Sequence, residues 1–438
     1  MQENKLLAIK NQPRFGGIFE DGKGFDHRIH LTSDQFLNDT HDFEINESAV
    51  SEFEEKVSSY LNSPYVIATN SGTSAMHVAL ILAAKKVFGA DGLKGQKVFC
   101  SDLCPIEQAM PILYEQGEPV FIDVTDYDFN MDPECLEIAF ETYPDTKIVV
   151  TNHLYGFPGQ VEKIKEICGE HGAILIENAS ESFGASVEGE QTGTIGDIGV
   201  LDFGRGKIIS AESGGAVVVG DKEEYDFAKQ LINMPMRNYP WQQCPGTGYD
   251  YSMNKITAVM LLRRLPHIDE VIDRQKRIYE LYQENLNDDL FYLIEARESA
   301  DPNYWVSVAM CDSPIEAEET RTEDGYSYED IHGTTSPMEI VDALEAFNAE
   351  AAPIYMPMSL QPAFKDCELI TLDGLADKPD AYGEDGRLFI SENSIDAFKR
   401  CVCLPSDISM TEEEQMKVIE IINACFNKST LDRKVFVL

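Results

Sequence analysis

Residues 147–185 read KIVVTNHLYGFPGQVEKIKEICGEHGAILIENASESFGA. Two short apolar runs, KIVVT (147–151) and AILIE (173–177), flank the stretch QVEKIKEICGEHG. In that stretch Val161, Ile164 and Ile167 recur at helical spacing, and the pattern closes on a glycine stop. The runs are apolar at every position, as strands covered by helices on both faces are. The same alternation extends outward. Before it come YVIAT (65–69), KVFC (97–100) and PVFID (119–123); after it come GVLDF (199–203) and GAVVVG (215–220). Between the first two lies SAMHVALILAAKKVFG, with an apolar stripe at 75, 76, 79, 80 and 83. Strand–helix alternation at this spacing predicts an α/β fold with a large, mainly parallel, doubly wound sheet.

Beyond this region the character shifts. Residues 252–285 read as a long helix with a local break at Pro266. After about residue 300 come YWVSVAM, IYMPMSL and VCLPSD, then a closing helix in TEEEQMKVIEIINACF, which suits a smaller α+β domain. We therefore expect an N-terminal arm over 1–45, a large domain over 46–285 and a small C-terminal domain over 286–438. The acidic, aliphatic-poor stretch 315–336 is expected to be an exposed insertion.

The chain has 438 residues, 77 acidic and 35 basic, and a formal net charge of −42. A body this acidic repels polyanions, which argues against nucleic acid and against an anionic membrane surface as partners. The first residues, MQENKLLAIKNQPRFGG, hold no apolar stretch of signal-peptide length, and no run approaches a membrane span. Ten cysteines are present, several inside strand-like runs where a free thiol behaves as a small hydrophobe. Cys100 and Cys104 lack a second pair or nearby histidines, so no metal site is expected. A reducing cytoplasm is the expected compartment.

Three loops follow three of the predicted strands, on the edge where open α/β sheets place ligands. TNSGTSAM (69–76) puts Ser71, Gly72 and Thr73 at a helix start, where free N–H groups favour an anion such as phosphate; an ordinary helix cap would look the same. ILIENASESFGA (174–185) ends a strand in polar and small residues. LDFGRGKIISAESGGAVVV (201–219) sets Lys207 in a Gly-rich turn with Arg205 beside it. A lysine there can extend harmlessly to solvent; desolvated in a cleft, it can instead form a Schiff base.

In this order, and over nearly the whole chain, these stretches resemble the DegT/DnrJ/EryC1/StrS family of pyridoxal-phosphate-dependent sugar aminotransferases. Further matching segments are GEPVFIDV with DFNMD, HLYGFPGQ (153–160), GYDYSMNKITAVMLLRRL (248–265), YMPMSLQPAF (355–364) and CLPSDISMTEEE. The resemblance implies the fold type I architecture of aspartate aminotransferase. It also implies a homodimer with the active site at the subunit interface. Lys207 matches the lysine that holds the cofactor covalently, and Gly72 and Thr73 match backbone donors to its phosphate. Asn178 stands where the family has an aspartate facing the pyridine nitrogen. Glu181 stands for a glutamine near the ring, and Asp202 for a serine that contacts the phosphate. Asp250 and Ser252 replace an asparagine and an arginine that reach the neighbouring subunit's site, and Pro105 falls where an aromatic stacks on the ring.

These departures have consequences. Asn178 supplies no negative charge to keep a pyridinium protonated, so proton abstraction should slow. Asp202 near a phosphate would cost on the order of 4 kcal/mol at a separation of about 4 Å, unless it is protonated or compensated. Lys207 either still forms its covalent bond or has become the cationic partner of Glu181 and Asp202. The expected function is transfer of an amino group from an amino acid, glutamate by preference, to a keto sugar, with Lys207 also moving the proton. The alternative is a catalytically degenerate relative serving as a dimeric module that binds a ligand or partner.

Overall fold

The computed structural model describes residues 2–19, 23–32, 47–89, 92–234, 237–238, 241–244, 246–288, 290–312, 319–322, 325–329, 333–376, 392–426 and 435–437. A nine-stranded sheet runs through the larger layer. Its strands in chain order are β1 Tyr65–Thr69, β2 Lys97–Ser101, β3 Glu118–Ile122, β4 Ile148–Asn152, β5 Ile174–Asn178, β6 Ile198–Asp202, β7 Gly215–Val219, β8 Glu368–Thr371 and β9 Gly374–Leu375. Their spatial order is β1-β7-β6-β5-β4-β2-β3-β8-β9. From β6 through β8 the pairs are parallel. β7 is antiparallel to both β1 and β6. The chain is thus a mainly parallel α/β protein of the expected class.

The all-apolar runs are explained by the two cores they separate. In β4, Ile148 and Val150 pack with Ala75, Ala79 and Leu80 of the helix Gly72–Phe88, while Val149 faces Phe140 and Ile164 on the other side. β2 does the same, with Val98 and Cys100 on one face and Phe99 on the other. Cys100 and Cys104 are buried in the first of these cores. Because β3 lies outside β2, and β5 and β6 lie outside β4, the direction of winding reverses between β2 and β4. A crevice opens at the carboxyl ends of strands at such a reversal.

A second, four-stranded antiparallel sheet joins Phe291–Leu293, Val308–Cys311, Cys401–Cys403 and Ala352–Pro353. It shares a core with the helices Pro337–Ala346 and Glu412–Ala424. The described part of the N-terminal segment belongs to that core too, through Ile9, Phe15, Phe25 and Ile29. The helix after residue 252 breaks at Pro266, between Lys255–Arg264 and Ile268–Asn285.

Two features depart from expectation. β8 lies within the stretch assigned to the small domain, yet pairs in parallel with β3 of the large sheet. The described part of 315–336 is not an exposed decoration. Glu319–Thr322 and Gly325–Glu329 form a hairpin in which Arg321 and Tyr328 are buried. Arg321 Nη1 donates to the Phe398 carbonyl at 2.8 Å. The hydroxyls of Tyr326 and Tyr328 donate to the two Asp342 oxygens at 2.6 and 2.8 Å. Residues 315–318, 323–324 and 330–332 of that stretch lie outside the described residues.

Candidate active site

β1 leads through Asn70 into the helix Gly72–Phe88. Ser71 is the N-cap, its hydroxyl accepting the Ser74 N–H at 3.1 Å. Beside this helix start β6 ends at Asp202, whose Oδ1 accepts the Gly204 N–H at 3.0 Å. Gly72 approaches so closely that a Cβ on it would lie 2.7 Å from both Cβ and Cγ of Asp202. Only glycine permits that approach, and the Gly72 N–H also donates to the Asp202 carboxyl.

The turn Gly204–Gly206 presents Lys207. Gly206 has φ +82°, and a Cβ there would lie 2.3 Å from Thr32 Oγ1. The Gly206 carbonyl accepts the Trp305 indole N–H at 2.7 Å. That bond sets the Trp305 ring 4.1 Å beneath Lys207 Nζ, a cation–π contact. On its other side Lys207 Nζ lies 3.9 Å from Glu181 Oε1.

Glu181 is 4 % exposed and held from two directions. Its Oε2 accepts the Tyr155 N–H at 2.8 Å, and its Oε1 accepts the Tyr355 hydroxyl at 2.7 Å. Tyr155 reaches this position with φ 54°, a left-handed conformation costly for a bulky residue. The Tyr155 hydroxyl in turn accepts the Tyr355 N–H at 2.9 Å, and the two rings stack at 5.2 Å. Burial pushes the Glu181 carboxyl above the usual carboxylate range, and Lys207, the Tyr355 hydroxyl and the Tyr155 N–H oppose the rise. Asp202 is raised likewise, by enclosure first, against Lys207 and the Gly204 N–H; Glu107 adds to the rise.

β5 ends at Asn178. Its Nδ2 donates to Gln108 Oε1 at 2.7 Å and its Oδ1 accepts the Ser180 N–H at 3.2 Å. Gln108 is buried and reaches Asn152 Oδ1 at 3.5 Å. An uncharged amide chain thus crosses the strand ends where the winding reverses.

These groups surround one cavity of about 320 Å³. Gly72, Thr73, Pro105, Gln108, Asn178, Asp202, Arg205, Lys207, Trp305 and Tyr355 all line it. The structure brings together Lys207, Gly72, Thr73, Asn178 and Asp202, with Glu181 joined through Lys207. Asp250 is exposed and is not among the lining residues; Asn70 Nδ2 donates to its carbonyl at 3.1 Å. The Ser252 hydroxyl lies 3.1 Å from the Ile232 carbonyl and 2.8 Å from Asn233 Oδ1. Sequence reasoning missed Trp305, Tyr355 and Gln108. YWVSVAM and IYMPMSL stood out as segments, and Trp305, one of two tryptophans, was the signal to follow there. Gln108 carried none.

Residues 38–423 match the model of the DegT/DnrJ/EryC1/StrS aminotransferase family. The chain is similar to EpsN of Bacillus subtilis (strain 168), a protein ascribed pyridoxal phosphate-dependent aminotransferase activity, at 30 % identity over 86 % of this chain and 88 % of that one. It is 26 % identical to the GDP-perosamine synthase of Escherichia coli O157:H7, over 72 % and 79 % of the two chains. Among solved structures, a DegT DnrJ EryC1 StrS aminotransferase from Brucella abortus superposes with a TM-score of 0.71 at 21 % identity, covering 97 % of this chain and 96 % of that one. That likeness carries the fold, fold type I, and the family match carries the lineage: the chain belongs to the DegT/DnrJ/EryC1/StrS aminotransferase family.

Proposed function

We propose that this protein is an aminotransferase that uses pyridoxal phosphate to move an amino group from an amino acid, glutamate by preference, to a keto sugar. The observation that carries the reading is Lys207. Its Nζ lies between Glu181 and the Trp305 face, at the wall of a cavity that the helix N-terminus at Gly72 and Thr73 also lines. The names of relatives such as GDP-perosamine synthase point to a nucleotide-linked acceptor. The alternative of a non-catalytic binding module draws no support from these relatives.

The residues fit the cofactor that the family uses. Lys207 would hold it covalently, and Gly72 and Thr73 would offer N–H groups to its phosphate. Asn178 would face its ring nitrogen, with Pro105 and Trp305 among the walls. Bound there, pyridoxal phosphate supplies an electron-withdrawing ring. Asn178, a neutral amide tied to Gln108, orients a partner without adding charge. Lys207 moves the proton: of the two basic side chains that line the cavity, Arg205 stays charged at all working pH values and only Lys207 Nζ can release and regain one. Glu181 holds Nζ from one side and Trp305 excludes water from the other.

We also infer a homodimer in which Asp250 is offered to the neighbouring subunit's site. Exposed Trp241 and Ile256, close to it in sequence, suit a surface that a second copy covers. We place the protein in the cytoplasm on its cysteine usage. No described helix is long and apolar enough to cross a membrane.

The test is chemical. The protein is incubated with pyridoxal phosphate and divided: one portion is reduced with borohydride and mapped by mass spectrometry, and the other, left unreduced, is assayed with glutamate for 2-oxoglutarate. The expected result is a reduced adduct on Lys207, absent in Lys207→Ala, and one equivalent of 2-oxoglutarate per site. No adduct at millimolar cofactor would overturn the reading.

A further inference from the structure

The carboxyl of Asp202 sits against the first residue of the helix Gly72–Phe88. It accepts the Gly204 N–H at 3.0 Å, and the Gly72 N–H donates to it as well. Gly72 is packed so tightly on Asp202 that no Cβ fits between them. A helix N-terminus with converging backbone N–H groups attracts an anion, and here the chain has supplied one from its own β6. The position also lines the cavity with Gly72, Thr73 and Lys207. Around Asp202 lie Lys207 and Arg205 on its own loop and Glu107 on the helix Ile106–Tyr114, while Glu181 stands beside Lys207.

We propose that Asp202 is a built-in anion that occupies the phosphate end of the cavity, so that a phosphate group enters by taking the Gly72 and Gly204 N–H groups from its carboxylate. This rests on the reading that the cavity takes pyridoxal phosphate. Two bodies of like charge cannot share those donors, so entry requires the side chain to turn away or to take up a proton. The site thereby discriminates on the charge of the incoming group, and its loading is easier at low pH, where the carboxyl is neutral. Serine in that place would offer a hydroxyl and no charge. Asparagine would keep the shape of the side chain without the charge.

The test uses inorganic phosphate as the probe, which needs no reaction at Lys207. Binding to the whole protein is measured by calorimetry for the unaltered chain, Asp202→Ser and Asp202→Asn, at pH 8 and pH 6. Both variants are expected to bind phosphate at least about tenfold more tightly than the unaltered chain at pH 8. The gap should narrow at pH 6; taking the ratio between proteins removes the titration of phosphate itself. Equal affinities at pH 8, including no binding by any of the three, would overturn the proposal. The Lys207 adduct is scored separately on the same proteins. A gain in phosphate binding without any adduct leaves Asp202 as proposed and defeats the aminotransferase reading. An adduct with no gain does the reverse.

Discussion

Glu177 and Glu181 lie four residues apart on one stretch, and their surroundings give them different duties. Glu177 Oε1 accepts from His153 Nε2 at 2.9 Å and from the Gly193 N–H at 2.7 Å. Its Oε2 accepts the Ile195 and Gly196 N–H groups at 2.8 and 2.7 Å. Four donors on a carboxylate with no exposure make it a structural anchor for the loop before β6. Glu177→Gln turns an NH₂ toward two of those N–H groups, so it should cost about 2–4 kcal/mol of stability; a denaturation midpoint equal to the unaltered protein would contradict this. Glu181 has fewer donors and faces Lys207. Glu181→Gln keeps the Tyr355 contact and should leave the midpoint nearly unchanged while slowing amino transfer about 10- to 100-fold. The pH profile separates positioning from packing. Burial has already raised the Glu181 carboxyl, so in the unaltered enzyme the rate falls at low pH as Glu181 takes up its proton. The glutamine variant should lack that limb.

At the level of elements, the end of β2 is tied to two segments far along the chain. Asp102 Oδ1 accepts the Ser359 N–H at 2.7 Å, and its Oδ2 accepts the Ser359 and Ser394 hydroxyls at 2.9 and 2.7 Å. Nearby, Asp123 accepts the first N–H groups of the helix Asn393–Arg400. The Ser359 segment also carries Tyr355, so this tie helps to place the Glu181 partner. Burial raises the Asp102 carboxyl to about 7, against the Ser394 hydroxyl and the Ser359 N–H, with Asp123 adding to the rise. An acid whose pKa is higher folded than unfolded binds its proton more tightly in the native state. Its contribution to stability is therefore present below about pH 4 and lost as pH rises through the window to about 7. Asp102→Asn should flatten the stability profile across that window, by at most about 4 kcal/mol; an unchanged slope between pH 4 and 7 would show that Asp102 does not titrate there. Nothing local in the sequence announces this tie. The parallel strands were legible because their residues are apolar on both faces, and Lys207 was legible because it sits in a glycine-rich turn. Trp305, Tyr355 and Ser359 act through contacts that span tens to hundreds of residues, as does β8 when it joins β3. The posture of Asp202 against Gly72 was equally hidden, since no pattern in a chain shows which N–H groups a carboxylate will find.

The whole molecule carries a charge of −42, and the cavity at Lys207 has acids beside it at Glu181 and Asp202. Much of that charge is solvated, so added salt should screen self-repulsion and raise the unfolding temperature. The proposed pairing of two subunits bears on the site more directly. Asp250 is exposed and lies outside the lining of its own chain's cavity, while Lys207 lies at the wall. If the loop of one chain completes the site of the other, each site needs a sound Lys207 from one subunit and a sound Asp250 from its partner. Lys207→Ala and Asp250→Lys chains should each be inactive alone. Unfolded and refolded together in equal amounts, half of the dimers pair one chain of each kind. In such a pair one site has both defects and the other has neither. About one quarter of the unaltered activity should then return, in a species of twice 49.0 kDa. A site built within a single chain would give no recovery at all, because every Lys207-bearing chain would keep its own defect at Asp250.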